Sequence, residues 1–366
     1  MTPLVSIVIP VHDQAPRLRL TLSALARQRG IDRDAWEVIV VDDGSTDDVD
    51  GAVAKIEPAC GATLTVIRSR SRGRRGVPRN VGAETARGEL LIFLDADACP
   101  AESFVAAHIA AQRRERCVGL GEHYVVPGTT SLLDPSLGIR FPRIAPDHPS
   151  VADVLLVRDV DWSDGVETFF LPHSEKGVYP DQSIWQAEIE RALRCGTKKL
   201  AWVGVVPHNI SVPRHDFMRL GGFDALLTHS EGWDLGLRAR RAGLDIRLAE
   251  GGRSFHLYHW RPLSRDLANI RQSQRILCDR FPEEMPESAY AWFAATAGDP
   301  HIPAELNFQN WRTVESALET RDGRLRLRRI YQTMTDATRG IGLMDYLDGV
   351  ALNSPMVPFQ SPCANT

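Results

Sequence analysis

The chain has 366 residues, of which 43% are hydrophobic and 25% charged, and its formal charge is −4. This balance is ordinary for a soluble globular protein and disfavours nucleic acid or an anionic membrane as a partner. Because single hydrophobic cores stop growing near about 250–300 residues, we expect one main domain with an appendage.

The N-terminal sequence MTPLVSIVIPVHDQ has no basic lead, so it predicts a first strand rather than a signal peptide. No window approaches the roughly 20 apolar residues that span a bilayer. The cysteines are scattered without a C-x-x-C pair, which disfavours a zinc site and a disulfide framework. The sequence therefore predicts a cytoplasmic protein with reduced thiols and no transmembrane segment.

Short apolar runs in the N-terminal part predict buried strands, at Val5–Val11, Val38–Val41, Leu64–Ile67 and Leu90–Leu94. Between the first two runs, Leu18, Leu22 and Leu25 have the spacing of one helix face. Strands that are apolar throughout indicate a parallel sheet covered by helices on both faces. The pattern predicts an α/β fold with a doubly wound, mostly parallel sheet.

The later sequence is less regular. Residues 122–181 are rich in proline and aspartate and are expected to form loops over the site. A helix is expected from about Trp233 to Ala242, and regular structure again over Ile246–His256. We predict a main domain over residues 1–262 and a helical C-terminal extension over residues 263–366, which caps the acceptor or forms a homodimer surface.

Each N-terminal strand is followed by polar residues: Pro10-Val11-His12-Asp13, Asp42-Asp43-Gly44-Ser45, the arginine-rich loop 68–79, and Asp95-Ala96-Asp97. In doubly wound sheets the ligand lies beyond the carboxyl ends of the strands, where neighbouring loops converge. These segments are therefore expected to line one cleft.

Asp95 and Asp97 follow the apolar run LLIFL. Two carboxylates about 6 Å apart repel by roughly 3 kcal/mol at an effective dielectric near 20, so a positive group is expected beside them. Mg²⁺ or Mn²⁺ takes carboxylate ligands and presents substrate phosphates. The alternative for this pair is a plain turn, and a D-x-D motif alone does not decide between the two.

Two other segments fit a nucleotide. Asp43 lies in DDGSTDD, which is suited to hydrogen bonds with a ribose or a base edge, while helix capping by Ser45 or Asp47 is the alternative. Five arginines lie between Arg68 and Arg75, where guanidinium groups can bind phosphate oxygens bidentately or form a solvated loop.

The order of PVHD, VVDDGSTDD, RNVG, ARGELLIFLDADACP, LGGFD and SEGWDLGLRARRAG resembles the inverting GT-A glycosyltransferases of family two, over roughly residues 3–260. The resemblance implies transfer of a sugar from a nucleoside diphosphate donor, commonly a UDP-sugar in this family, to an acceptor hydroxyl. It implies Mn²⁺ or Mg²⁺ as cofactor. The acceptor, a saccharide or a small-molecule natural product, is not identified.

By this resemblance the nucleotide-sugar-binding residues are expected at the strand ends and in the arginine-rich loop: Pro10, His12, Asp13, Asp43, Arg75, Arg79, Asn80, Asp95 and Ala96. The expected metal ligands are Asp95 and Asp97, with His256 and then His259 from the late segment GGRSFHLYHW. An isolated histidine is more often a packed or surface residue than a ligand.

The family commonly has Glu-Asp where this chain has Glu231-Gly232, so the position that usually holds the general base is glycine. Glu231 becomes the expected base and Asp234 the second candidate. The alternatives are a helix N-terminal charge for Glu231 and an ion pair with Arg238 for Asp234. Trp233 either stacks on an acceptor ring or packs in the core.

Two other functions stay open. Gly232 favours an inactive relative that binds a nucleotide sugar without turnover. A sugar-1-phosphate nucleotidyltransferase shares a similar sheet and metal, but its G-x-G-T-R loop has no counterpart in PVHDQAPR.

Overall fold

A computed structural model of the chain describes residues 4–141, 154–176, 185–259, 273–284 and 311–327, apart from short gaps at 58, 72, 114–115, 198, 274–275 and 278. The strands are β1 (Val5–Val11), β2 (Trp36–Asp42), β3 (Thr63–Arg68), β4 (Leu90–Leu94), β5 (Ala98–Pro100), β6 (Cys117–Val126), β7 (Leu132–Asp134), β8 (Ile139–Arg140), β9 (Glu175–Lys176), β10 (Asn209–Pro213) and β11 (Asp245–Leu257). The helices are α1 (Ala15–Leu25), α2 (Val49–Ile56), α3 (Gly76–Thr85), α4 (Phe104–Gln112), α5 (Val166–Phe170), α6 (Trp185–Arg194), α7 (Arg214–Arg219), α8 (Glu231–Arg241) and α9 (Trp311–Glu319).

One large sheet organises the described part of the chain. Its strand order is β3-β2-β1-β4-β10-β6-β11-β5, and β9 pairs with β6. Strands β1 to β4 pair in parallel, and so do β6 and β11. Strand β10 runs antiparallel between β4 and β6. The predicted α/β fold is confirmed, and the antiparallel β10 is a feature that the apolar runs did not indicate.

The central strands are apolar throughout because both faces of the sheet are covered. Alternate side chains of β1 enter different cores: Ile7 packs with Leu18 of α1, and Val8 packs with Ala83 of α3. Helix α3 lies so close to the sheet that a Cβ on Gly82 would come within 2.3 Å of a Val8 methyl group. The parallel pairing of β1 with β2 and β4 brings the carboxyl ends of these strands to the same edge of the sheet.

The predicted loop region over residues 122–181 contains short elements. Strand β6 continues to Val126, β7 and β8 form a small hairpin, and α5 follows. Residues 142–153 and 177–181 of that prediction lie outside the described residues.

The described residues beyond 262 pack on the main domain. Leu277 and Phe281 share a core with Trp202 and Trp233, and so do apolar side chains of α9. The division at residue 262 stays a prediction. Among the described helices, none is both long and apolar enough to cross a bilayer.

Candidate active site

The turn between β4 and β5 carries Asp95 and Asp97. Strand β5 pairs antiparallel with β11 so that Ala98 lies opposite His256. The backbone N–H of Leu257 donates to the carbonyl of Asp97 at 2.8 Å. This register brings Asp97 against the end of β11, although 159 residues separate it from His256 in sequence.

Asp97, His256 and His259 form one cluster. The Oδ2 atom of Asp97 lies 3.3 Å from the Nε2 atom of each histidine. Asp97 is buried, and burial alone would raise its pKa, but the two histidines outweigh this and hold the pKa well below its ordinary value. Burial lowers the pKa of His259. At neutral pH the cluster therefore offers a carboxylate and a neutral His259 imidazole, the forms that bind metal ions.

In this cluster the 3.3 Å distance from Asp97 to each histidine is that of neighbouring ligands on one divalent ion. Its three candidate ligand atoms all lie within 4.8 Å of one another. Adjacent ligands at about 2.1 Å from an ion lie about 3.0–3.4 Å apart in octahedral or tetrahedral coordination. Two imidazoles beside one carboxylate suit a transition metal better than Mg²⁺, which prefers oxygen ligands. Of the two predicted ions, Mn²⁺ fits this donor set better.

Asp95 lies outside that cluster and points to Arg79 of helix α3. The Nη2 atom of Arg79 donates to Asp95 Oδ1 at 2.6 Å, and Nη1 donates to Glu231 Oε1 at 3.1 Å. Nη1 also donates to the carbonyl of Arg75 at 2.9 Å. Arg79 and Glu231 are both buried, whereas Asp95 is half-buried. Arg79 thus joins the D-x-D turn to the start of α8, where the predicted base lies.

The two candidate bases have different surroundings. Asp234 is fully buried, and each of its oxygens accepts from a guanidinium: Oδ2 from Arg238 at 2.8 Å and Oδ1 from Arg280 at 2.6 Å. These contacts favour the ion-pair alternative for Asp234. Within the described parts of the chain, Glu231 pairs with Arg79 through Oε1, and this less enclosed carboxylate is favoured as the base.

Trp233 is 7% exposed, and its indole N–H donates to the carbonyl of Val203 at 2.9 Å. Its ring packs edge-on against Trp202, with 6.0 Å between the ring centroids. This burial favours packing over the predicted stacking on an acceptor ring.

The residues predicted around the nucleoside come together at the ends of β1 and β2. His12 is exposed, and its Nδ1 lies 3.1 Å from the carbonyl oxygen of Asp43. Asp13 has a left-handed backbone (φ 52°), and its carboxylate accepts from the Thr46 N–H at 2.6 Å, the main cause of its lowered pKa. Asp43 accepts from the N–H of Ser71 at 2.6 Å and from the Ser71 hydroxyl. Pro10 lies half-buried on the same strand end.

The other predicted nucleotide-binding residues join elements of the fold. The Asn80 side chain donates to the carbonyl of Phe223 at 2.7 Å and accepts from its N–H at 2.9 Å. Ala96 is buried, and its carbonyl accepts from the hydroxyl of Thr21 at 2.8 Å. Arg75 is half-buried at the position before α3.

Sequence reasoning missed two buried histidines behind the cluster. The rings of His123 and His208 lie 3.9 Å apart, and His123 lies 5.6 Å from His256. Burial lowers the pKa of His208 to about 4, and burial together with His208 lowers that of His123 well below its ordinary value. Single histidines without metal-ligand spacing gave no signal in the sequence.

Arg17 of helix α1 was also missed. It is 1% exposed and donates to the carbonyl of Leu132 at 2.6 Å and to those of Thr129 and Leu257. Burial lowers its pKa to about 10, so it is still charged at neutral pH. Because the Leu257 carbonyl lies between the two histidines in sequence, Arg17 anchors the chain segment that carries them. An arginine beside the apolar stripe of α1 was the available signal.

The chain is similar to known glycosyltransferases. Residues 6–146 match the family model described as Glycosyl transferase family 2. Validoxylamine A glucosyltransferase of Streptomyces hygroscopicus subsp. jinggangensis (strain 5008) is 28% identical over 321 residues, which cover 84% of this chain and 68% of that protein. The uncharacterized glycosyltransferase YfnE of Bacillus subtilis (strain 168) is 28% identical over 294 residues, which cover 75% of this chain and 70% of that protein.

The fold has counterparts among solved structures. The crystal structure of S. aureus TarS 1–349 in complex with UDP-GlcNAc matches with a TM-score of 0.51 and 14% sequence identity, over 95% of this chain and 88% of that chain. The region matched by the family model contains the ends of β1, β2 and β4, whereas Glu231, His256 and His259 lie beyond it. Residues 6–146 thus match glycosyl transferase family 2, and the chain is a glycosyltransferase with the GT-A fold.

Proposed function

We propose that this protein transfers a sugar from a nucleoside diphosphate donor, a UDP-sugar, to an acceptor hydroxyl with inversion at the sugar carbon. The observation that carries the proposal is the contact chain from Asp95 through Arg79 to Glu231, beside Asp97. These contacts connect Glu231, a carboxylate suited to act as a base, with the D-x-D turn that is expected to bind the donor. The glucosyltransferase among the relatives supports a sugar donor.

The donor would lie across the carboxyl ends of the strands. In this proposal His12, Asp13 and Asp43 contact the nucleoside, because they meet at the ends of β1 and β2. Asp97, His256 and His259 would hold a divalent ion, with Mn²⁺ favoured over Mg²⁺. When bound, the ion supplies Lewis-acid stabilisation of the negative charge on the departing diphosphate.

Glu231 would act as the general base. A carboxylate that takes the proton from the acceptor hydroxyl allows its oxygen to attack the sugar carbon as the nucleoside diphosphate leaves. A single displacement of this kind inverts the configuration at that carbon. The contact between Arg79 and Glu231 Oε1 fixes the orientation of the carboxylate.

The inactive-relative alternative rested on Gly232. The structure supplies a packing reason for that glycine, because a Cβ there would lie 2.1 Å from the carbonyl oxygen of Val205. The glycine therefore does not itself argue for lost activity, while Glu231 beside it keeps a carboxylate at the site. The acceptor, a cytoplasmic location and a homodimer stay predictions.

The test measures two quantities, each with Mn²⁺ or with EDTA. The first is UDP binding by calorimetry, and the second is the release of UDP from a panel of UDP-sugars in the presence of a broad acceptor panel. Glu231→Gln should keep the UDP affinity and lower transfer at least about 100-fold, as expected when a general base is lost. Asp97→Ala should lose the Mn²⁺-dependent part of UDP binding. The control is Glu250→Gln, because Glu250 is exposed and lies away from these contacts.

Each outcome separates the alternatives. Transfer by Glu231→Gln at the unchanged rate would contradict the base assignment. Metal-dependent UDP binding with no turnover across a broad acceptor panel would favour the inactive relative. UDP binding unaffected by EDTA and by Asp97→Ala would remove the metal from the proposal.

A further inference from the structure

Gln14 occupies the N-cap position of α1 but does not cap the helix with its side chain. N-cap positions favour Ser, Thr, Asp and Asn, whose short side chains accept from the first helical N–H groups. Here the N–H of Ala15 is satisfied instead by Asp47, at 2.7 Å. The Gln14 side chain is therefore free to point elsewhere.

It points to the cluster of Asp97, His256 and His259. The Nε2 atom of Gln14 lies 3.5 Å from Asp97 Oδ2 and 3.3 Å from His259 Nε2. These are two of the three atoms that would bind the ion. The Gln14 amide thus lies beside the same ligand atoms, although it comes from a different strand end.

We propose that Gln14 is a further ligand of the divalent ion, binding it through the side-chain carbonyl oxygen. This inference rests on the metal site of the proposed function. The amide nitrogen and oxygen of glutamine have nearly the same shape, and a half-turn of the terminal bond exchanges them. The carbonyl oxygen then takes the place of the nitrogen beside Asp97 and His259.

The two amide orientations suit two states of the site. Without an ion, the amide N–H donates to Asp97 Oδ2 and to an unprotonated His259 Nε2. With an ion, the lone pairs of those atoms are directed to the metal, so the N–H group loses both acceptors and faces a positive charge. A neutral carbonyl oxygen is an acceptable ligand for a hard dication.

The position of Gln14 also connects the ion to the nucleoside side of the cleft. Gln14 directly follows His12 and Asp13, and the backbone N–H of Asp13 donates to the Ser45 hydroxyl at 3.1 Å. An ion bound to Gln14 would thus hold the end of β1 against the ends of β4 and β11.

The experiment measures Mn²⁺ binding to the full chain, stripped of metal with EDTA and then dialysed, from the EPR signal of free Mn²⁺. Gln14→Leu should bind Mn²⁺ about 10-fold more weakly, the lower end of the loss seen when a residue supporting a metal site is removed. Gln14→Glu should bind Mn²⁺ more tightly than the unmodified chain, because it keeps a ligand oxygen and adds charge. Weaker Mn²⁺ binding by Gln14→Glu than by the unmodified chain would overturn the proposal.

Two controls isolate the ligand effect. Gln28→Leu changes a glutamine just past the other end of α1, whose amide bonds to the backbone of Ala101 and Val105, so Mn²⁺ affinity should stay unchanged. His12→Glu adds a negative charge to the same loop, at a side chain that lies against Asp43 and Asp13. An equal gain of affinity in His12→Glu and Gln14→Glu would show that charge alone acts, and would overturn the proposal.

The outcomes distinguish this inference from the proposed function. If Asp97→Ala binds Mn²⁺ as tightly as the unmodified chain, the metal site itself is wrong. If Asp97→Ala loses binding while Gln14→Leu keeps it, only the role of Gln14 is wrong.

Discussion

At the scale of single residues, Arg79 has the most consequential contacts. The family resemblance places it near the nucleotide, yet its guanidinium lies between Asp95 and Glu231. A buried carboxylate without its cation is strongly disfavoured, because desolvation of the charge is no longer offset. We therefore interpret Arg79 as the residue that positions the predicted base.

Arg79→Met should destabilise the protein by about 3–5 kcal/mol, the range for breaking one side of a buried ion pair. Urea unfolding of the metal-free protein measures the change in the free energy of unfolding. In the double variant with Glu231→Gln the cost should be smaller than the sum of the two single costs, because the neutral amide no longer needs the cation. Strict additivity would show that Arg79 and Glu231 do not interact.

Asn80 is a second residue that the resemblance places near the nucleotide. Its side chain makes two hydrogen bonds to the backbone of Phe223. Asn80→Ala should lower the free energy of unfolding by about 1–3 kcal/mol, because buried backbone groups lose their partners. The affinity of the folded variant for UDP should be unchanged in a calorimetric titration. A large loss of UDP affinity with unchanged stability would instead support the nucleotide-pocket role.

At the scale of elements, helix α8 depends on two glycines on one face. A Cβ at Gly232 would lie 2.1 Å from the carbonyl oxygen of Val205, and a Cβ at Gly236 would lie 3.0 Å from that of Trp202. Residues four apart share a helix face, so α8 lies directly against this backbone segment. The close approach holds Glu231 at the site and explains why the usual acid is missing at residue 232.

Gly232→Ala should destabilise the protein by about 3 kcal/mol or more, the upper end of the range for overpacking, because a backbone carbonyl cannot move aside cheaply. The control is Gly196→Ala, where nothing lies within 4 Å and the main cost is its positive φ, about 1–2 kcal/mol. Thermal and urea unfolding compare the two variants. Equal costs at both positions would contradict the packing argument.

The elements also show what sequence patterns can predict. Continuous apolar runs predicted β1 and β4, because a strand that is buried on both faces needs apolar side chains at consecutive positions. The helix predicted from Trp233 begins at Glu231, two residues earlier. The sequence showed that Gly232 departs from the family pattern but not why, since Val205 approaches it only in the folded chain.

At the scale of the whole molecule, the site depends on contacts between distant parts of the chain. Asp95 and Asp97, which are separated by one residue at a strand end, were both predicted from the sequence as metal ligands. In the fold Asp97 meets His256 and His259, while Asp95 meets Arg79. This separation follows from the antiparallel register of β5 and β11, which the order of apolar runs does not specify.

The same sheet holds a buried polar network that should make stability depend on pH. His108 of helix α4 contacts Ser211 through Nδ1 and Asn209 through Nε2, each at 2.9 Å. The Asn209 amide donates in turn to the carbonyl of Gly252 and to Ser254 of β11. Burial lowers the pKa of His108 to about 4 from the ordinary value of 6.5.

The unfolded chain binds a proton at His108 near pH 6.5, whereas the folded chain does so only near pH 4, so stability falls as the pH drops from about 6.5 towards 4. His208 adds to this loss in the same direction, because its pKa is also lowered to about 4. Each histidine should contribute about 1 kcal/mol between pH 6.5 and 5.5. Urea unfolding with EDTA at pH 7.5, 6.5 and 5.5 measures the slope. His108→Gln, which keeps an amide in the network but cannot titrate, should flatten it, and an unchanged slope would contradict the assignment.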